Sequence, residues 1–510
     1  MIKMNEAVKK QVEALIGKPE QLLRKKPFFR GSDTYAVNEA SLGDRNINEL
    51  TEARLPKIRM TPISQEQFLK ELDPDCHKVL FDENVPSICT KLADGSYVEV
   101  EFSKMALPYQ KNIKDKQVLH LCGNPMQFTL LNQTPTKKDL SNFSTIKQYW
   151  LERNQDGMRT KMVDAQKSMG DAGLLYYFDN KGQIKSRLLC YRDGYVILPV
   201  NDQNGDRILE CVYYADENGE EHLDCYDDTY FYQFVLGEVV VDGNTTYGWT
   251  MPNGKKAHGF EEIPLITHRG AVAWNDVQTV IEIYEIIYNI FMVIQKRHGW
   301  GILYISGKFK ETAKKIAGSV ILQDTSLDGK GKAEFKTAPS PQGMIETMEL
   351  LEQSIMKGSG TTFILPKDIK TGGDISGVTV QLVQASDIET ALAGCIEWKN
   401  VASKMCRLFK YGLAKELVSN GQNKTAITDF QKLSISADFK VWKPRSDIEY
   451  NNMLIALKNG GILSAKTGIE KNTESTPDEE MRVAEDEAKA QSLMEAQSAN
   501  NGNNNNNSLN

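Results

Sequence analysis

The sequence reads as an α+β protein, and three patterns carry that reading. A run of short segments with two-residue periodicity, separated by Asn-Gly and Asp-Gly turns, fills residues 173–267. Long stretches of helical periodicity flank it on both sides, from Thr145 to Met169 and from Asn275 onward. Strands gathered in one block, with helices gathered elsewhere, are the mark of α+β and not of alternating α/β architecture. At 510 residues the chain exceeds a single core, so two or more lobes are expected.

In chain order, MIKMNEAVKKQVEALIGKPEQ is an amphipathic helix without the apolar core of a signal peptide. Irregular sequence then runs to Pro56 and Pro62. A short helix is expected at Gln65–Leu72 and a strand at Tyr97–Phe102. In the helix from Thr145 to Met169, Ile146, Tyr149, Trp150, Met158, Met162 and Ala165 recur near helical spacing. The β block holds LLYYF, RLLCYR, YVILPV, RILECVYY, HLDCYD, YFYQF, GEVVV and TYGWT, separated by DNKG, RDG, NDQNGD, DENGEE and VDGN. Gly and Asn tolerate positive φ, so these separators mark tight hairpins.

The helix expected over Asn275–Arg297 is apolar around most of its circumference: Ile281, Ile283, Tyr284, Ile286, Ile287, Tyr288, Ile290, Phe291, Met292, Val293 and Ile294. Such a helix needs cover on every side. Its charge-free part, Ile286 to Ile294, is far short of the roughly 20 residues of a bilayer span. Glu282 and Glu285 are read as closing one end, and Lys296, Arg297 and His298 the other. Burial between neighbouring subunits is therefore favoured, with Ile283, Ile287, Ile290, Phe291 and Ile294 as interface residues.

A small αβ insert follows: strand Ile302–Ser306, helix Lys310–Ala317, and strands Val320–Gln323 and Ala333–Thr337. A helix spans Met344–Lys357, with Glu346, Glu349 and Glu352 set against Met348, Leu351 and Ile355. The loop TTFILPKDIKTGGDISG carries Lys367 and Lys370 among glycines that include Gly372 and Gly373. A helix of roughly forty residues, Val378 to Ser419, is well beyond the usual 8–20. A strand, Leu433–Val441, and the helices Ser446–Lys458 and Ser464–Lys471 come next, the last two joined by Gly460-Gly461. Thr476-Pro477-Asp478-Glu479 has the form of a capping box opening an acidic helix to Gln497. SANNGNNNNNSLN is low-complexity and reads as disordered.

Hydrophobic content of 40% and charged content of 25% are ordinary for a soluble globular protein. A net charge of −7 and a pI near 5.7 exclude an obligate nucleic-acid gripper, so any DNA contact must be local or weak. The eight cysteines include no CxxC pair, which points to free thiols in a reducing compartment. NDQNGD lacks the ligand register of a calcium loop. The adjacent Cys76 and His77 are poorly placed to share a metal, and a surface turn is the better account. No GxxxxGK[ST], GxSxG, HExxH or dinucleotide fingerprint occurs. The sequence therefore presents no catalytic residues, no metal ligands and no cofactor site.

Several segments, taken in order, resemble the portal proteins of tailed bacteriophages. KMALPYQKNIKDKQVLHLCGNP (104–125) resembles the segment leading into that family's wing. YWLERNQD, KSMGDAGLLYYFDNKG and IKSRLLCYR resemble the wing helix and its strands, and EEIPLITHRG resembles the approach to the stem. DISGVTVQL resembles the exit from the tunnel loop, and GGILSAKTGIEKNTESTPDEEMRVAEDE the crown.

The resemblance implies a portal-like division. Residues 1–270 form a mixed wing, β-rich from 173; 271–298 and 342–358 are the two stem helices, and 299–341 the clip. Residues 359–377 are the tunnel loop, 378–444 the long helix and strand of the wing, 445–497 the crown, and 498–510 a disordered tail.

It further implies a ring of about twelve subunits at one capsid vertex, assembled in the host cytoplasm. Double-stranded DNA would pass through it without sequence recognition. The partners would be the terminase large subunit, the major capsid or scaffold protein and a head-completion adaptor, with no membrane involved. By position, Lys308, Lys310, Lys314 and Lys315 would meet the motor, although a solvated lysine face explains them equally well. Glu346, Glu349 and Glu352 would line the tunnel, or form an ordinary solvent face. Lys367, Lys370, Gly372 and Gly373 would touch the DNA backbone, although a mobile linker explains that loop almost as well. The competing readings are a divergent DNA-processing enzyme, another structural virion protein, and a peripheral membrane or host-attachment protein.

Overall fold

The computed structural model describes residues 28–30, 61–83, 88–91, 97–100, 103–201, 204–241, 244–298, 302–306, 320–324, 332–336, 342–363, 377–444 and 447–471, with isolated positions from 483 to 492. The expected N-terminal helix, the helix at 310–317, the capping box at 476–479 and the Asn-rich tail lie outside the described residues.

Strand β1 (Phe28–Arg30) pairs antiparallel with β2 (Thr61–Ile63). Helix α1 (Gln65–Leu72) begins where expected, with the Ser64 side chain accepting from the Gln67 N–H. A short α2 (Lys78–Phe81) and the hairpin β3 (Ile88–Lys91)–β4 (Tyr97–Val100) precede α3 (Tyr109–Cys122) and β5 (Gln127–Leu130). The single helix expected over Thr145–Met169 is two, α4 (Lys137–Glu152) and α5 (Gln155–Met169). The break is at Asn154, the only non-glycine residue with positive φ among those described (φ 48°). Its side chain accepts from the Gly157 N–H and starts the second helix. Asn suits both a helix surface and this cap, so composition alone did not reveal the corner.

The β block forms two sheets. Strands β6 (Asp171–Phe178), β7 (Ile184–Leu189) and, later in the chain, β14 (Leu265–Arg269) make one, in the order β14-β6-β7. The other contains β8 (Val196–Asn201), β9 (Arg207–Ala215), β10 (Glu221–Tyr226), β11 (Tyr230–Val241) and β12 (Asn244–Thr250), with β13 (Lys255–Ala257) also on β11. Gly182, Gly194, Gly205 and Gly219 all take positive φ at the anticipated turns. One boundary differs: YFYQF and GEVVV are a single twelve-residue strand, because Gly237 stays extended and pairs with Gly248.

Helix α6 (Gln278–His298) leads to β15 (Ile302–Ser306), β16 (Val320–Asp324) and β17 (Lys332–Lys336). These form one sheet in which β15 runs parallel to β16 and antiparallel to β17. A parallel neighbour demands a crossover, and the stretch between β15 and β16 is long enough to make one. Then follow α7 (Gln342–Ser359), α8 (Gly377–Val383), α9 (Ala385–Glu397), α10 (Lys399–Ser419) and α11 (Ala426–Gln431). The forty-residue helix is thus three segments, interrupted at Gln384 and Trp398. Around Trp398, which is fully buried, the helical bonds Trp398 N–H to Gly394 O and Ala402 N–H to Trp398 O persist, so this interruption is a distortion and not an end. Strand β18 (Ile435–Asp438) is shorter than expected and pairs with β5. Helices α12 (Asp447–Asn459) and α13 (Ala465–Lys471) flank a turn at Gly461 (φ 72°). Helix and sheet are both present and largely segregated, as in an α+β protein.

The chain divides into two compact units, one of Met1–Phe363 with Ser386–Trp442, the other of Ile364–Ala385 with Lys443–Asn510. The main core of the first packs α3, α4 and α5 with β6, α10 and α11. Trp150 lies at its centre, edge-on to Phe128 at 5.0 Å and to Phe409 at 5.2 Å. Arg153 grips Glu416 through two bonds of 2.8 and 2.6 Å, tying α4 to α10. A separate cluster (Phe68, Ile113, Met169, Trp274, Val277, Ile281, Tyr284 and Ile355) joins α1, α3 and α5 to the helix pair α6 and α7. In the second unit, the Gln381 side chain donates to Pro444 O at 2.9 Å.

Candidate functional site: the helix pair and its polar anchor

Helix α6 is amphipathic in an unexpected sense. Its buried stripe runs through Val277, Gln278, Ile281, Tyr284, Glu285, Asn289 and Val293, all at most 9% exposed. Three of these are polar. Ile286, Ile287, Ile290, Phe291, Met292 and Ile294 are only half-buried, and Ile283 is 45% exposed. The expectation of a helix apolar all round is therefore corrected: three polar groups sit among the apolar residues of its inner face, and several aliphatic residues face outward. Glu285 does not close an end of the helix, as expected, but lies 2% exposed inside it.

Each inner polar group has a specific partner. Glu285 Oε1 accepts from the Leu107 N–H at 2.8 Å and lies 2.7 Å from His77 Nδ1. His77 Nε2 is 2.9 Å from Glu71 O, so both ring nitrogens are engaged and Cys76, exposed beside it, does not share a ligand with it. Burial of His77 pushes its pKa down, but the hydrogen bond and charge of Glu285 outweigh that and leave it raised. Glu71 also accepts from Trp274 Nε1 at 2.8 Å. Asn289 accepts from the Met105 N–H (2.8 Å) and donates to Met105 O (2.7 Å). Gln278 accepts from Gln110 Nε2 at 3.0 Å, and Lys78 pairs with Glu282 at 2.9 Å. Residues 65–82 and 104–110 are thus fastened to α6 by polar contacts. Sequence reasoning missed this anchor. Its signal was the helical spacing of Gln278, Glu282, Glu285 and Asn289 inside an apolar run.

Helix α7 packs Met348, Leu351 and Ile355 against this cluster, and Leu350 points outward at 64% exposure. At its end, a Cβ on Gly358 would lie 2.6 Å from Val277 Cγ1, so the two helices approach there as only glycine allows. Glu346 and Glu349 are exposed, whereas Glu352 is half-buried and hydrogen-bonds Tyr109. The expectation that the three carboxylates share one face is corrected. A three-residue step falls about 60° behind the 3.6-residue turn, so the row winds from solvent toward the packed side.

Beyond α7 the chain is held firmly as far as Phe363. Gln117 donates to Ser359 O at 3.0 Å, Lys116 to Thr362 O, and Asp387 accepts from the Thr362 N–H at 3.1 Å. Phe363 stacks edge-on against Tyr109 at 5.8 Å. Lys367, Lys370, Gly372 and Gly373 lie outside the described residues, as do Lys308, Lys310, Lys314 and Lys315. Among the described residues, no helix is long and apolar enough to cross a membrane.

A comparison with curated proteins finds no match. The family model for phage portal proteins, SPP1 Gp6-like, matches residues 100–493, which takes in α3 to α13 and the whole helix pair. With most of its length matched, the chain belongs to the phage portal protein family.

Proposed function

We propose that this chain assembles into a closed ring at a capsid vertex and forms the channel through which double-stranded DNA is packaged and ejected. The family is structural and non-enzymatic, with a place in the virion capsid and a general capacity for self-assembly and for capsid and terminase contacts. One observation carries the reading to this chain: the aliphatic residues that α6 leaves uncovered on its outer side. Its polar groups are satisfied within the subunit, while Ile283, Ile287, Ile290, Phe291 and Ile294 are left partly in water. A second copy of the same chain supplies the missing cover, because in a heterologous ring every subunit both gives and receives that contact.

In this reading 271–298 and 342–358 are the stem, 299–341 is the clip that docks the terminase through its lysines, and 359–377 is the tunnel loop. Residues 445–497 are the crown, and the remainder is the wing, which meets capsid or scaffold protein; a head-completion adaptor binds after filling. Lys367 and Lys370 touch DNA phosphates, contacts that carry no base information. Glu346 and Glu349 present negative charge to the channel, which lets a polyanion slide where counterion-releasing contacts would hold it. The test is mass measurement of the purified assembly, with imaging of its symmetry. A ring of about twelve copies is expected. A monomer that cuts or joins DNA would replace this reading with the enzymatic alternative.

A further inference from the structure

The turn between β9 and β10 carries a cluster of side chains unrelated to the helix pair. Gly219 takes φ 82° to close the turn, and the Asp216 N–H donates to Glu220 O at 2.9 Å. Asp216 Oδ1 accepts from the N–H groups of Asn218 (2.9 Å) and Glu220 (2.8 Å), which fixes the carboxylate. Its Oδ2 lies 3.5 Å from His222 Nε2. Strand alternation puts Glu220 and His222 on one face. The register pairs His222 with Tyr214, two residues before Asp216, so all three groups belong to that face. The His222 ring stacks on Tyr214 at 5.1 Å and 17°, which holds its plane. One donor atom from each of Asp216, Glu220 and His222 lies within 4.8 Å of the other two.

The 3.5 Å separation is informative. A charge-assisted N–H···O contact normally closes to about 2.7–2.9 Å. Two ligands each about 2.1 Å from a tetrahedral metal stand about 3.4 Å apart. Asp216 is held ionised, its pKa lowered first by the backbone hydrogen bond from Glu220. An imidazole beside two carboxylates suits zinc-like ions better than calcium or magnesium, which take oxygen alone.

We propose that Asp216, Glu220 and His222 form a site for a borderline divalent cation of the zinc class, with three protein ligands and a fourth position open to water. The site is an exchangeable one. Glu220 is exposed, and His222 Nδ1 is buried without a partner, so no acceptor behind the imidazole reinforces it. Binding needs the imidazole lone pair, so the ion and a proton compete for Nε2.

The experiment uses the full chain, stripped with chelator and carrying Cys76→Ser to remove an exposed competing thiol. Zn²⁺ is titrated calorimetrically and Co²⁺ by visible absorption. One ion per chain is expected, with a Co²⁺ spectrum of tetrahedral intensity. Glu220→Gln, on an exposed side chain that the fold does not need, and His222→Gln should each weaken binding at least about tenfold. No binding up to millimolar Zn²⁺, affinity unchanged in both variants, or a Co²⁺ spectrum of octahedral intensity would each overturn the proposal.

Discussion

Replacing Glu285 by Ala tests whether the polar anchor on α6 holds the N-terminal segments in place. Glu285 is 2% exposed and serves two donors, the Leu107 N–H and His77 Nδ1. Truncation leaves the amide buried without a partner, at about 1–3 kcal/mol, and removes a hydrogen bond from the imidazole, at about 1 kcal/mol more. The imidazole can shed its proton, so the loss stays below the 3–5 kcal/mol of a broken permanent ion pair. About 2–4 kcal/mol results, a large part of a domain's usual stability of about 5–15 kcal/mol.

Hydrogen exchange read by peptide mass reports it locally. Protection across 103–110 should fall about thirtyfold to several hundredfold, at about 1.4 kcal/mol per factor of ten. The pH dependence fixes the cause. His77 has a raised pKa in the folded state, so its contribution is complete below the unfolded value of about 6.5 and is lost as pH rises through the higher folded value. Wild-type protection should therefore decline above that point, and Glu285→Ala should flatten the decline. Unchanged exchange at 103–110, or an undiminished pH slope in the variant, would refute the reasoning.

Ile283→Asp should abolish ring formation while leaving the subunit folded, because this side chain is 45% exposed in the chain alone; sedimentation and circular dichroism check both halves. Gly358→Ala should cost about 1–3 kcal/mol through its clash with Val277, and Val277→Ala should recover part of the loss in chemical denaturation. Lys367→Ala with Lys370→Ala should leave assembly intact and alter DNA packaging or retention without regard to sequence, an effect that shrinks as salt rises. Lys314→Ala with Lys315→Ala should impair motor docking instead, and the same phenotype from both pairs would remove the distinction between clip and tunnel loop.

What the sequence made legible was local. The turns at Gly182, Gly205 and Gly219 were readable because positive φ leaves a signature in residue type. Helix α1 was readable over its full span, Gln65–Leu72. The inner face of α6 was not, because apolar residues are its majority and no count tells which side meets the core. Its key partner, His77, lies 208 residues away from Glu285. The β5–β18 pairing was hidden for the same reason, and neither strand advertises its mate. Asn154 escaped because a corner made by one left-handed residue leaves the helical periodicity almost undisturbed. In the helix pair, which side of α6 faces outward was not legible, and the carboxylate row was straightened by treating three as the helical repeat.

In the ring proposed above, the aliphatic residues that α6 leaves outward are covered by a neighbour, and stability becomes a matter of mass action. Once assembled, such a chain cannot be assigned one melting temperature, since the midpoint must rise with protein concentration as any state coupled to association does. Dilution then acts as a denaturant directed at one face of one helix. A freshly made subunit waiting for its neighbours is exposed to the same hazard, and the rate at which it meets them sets how long Ile283 and Leu350 stay in water.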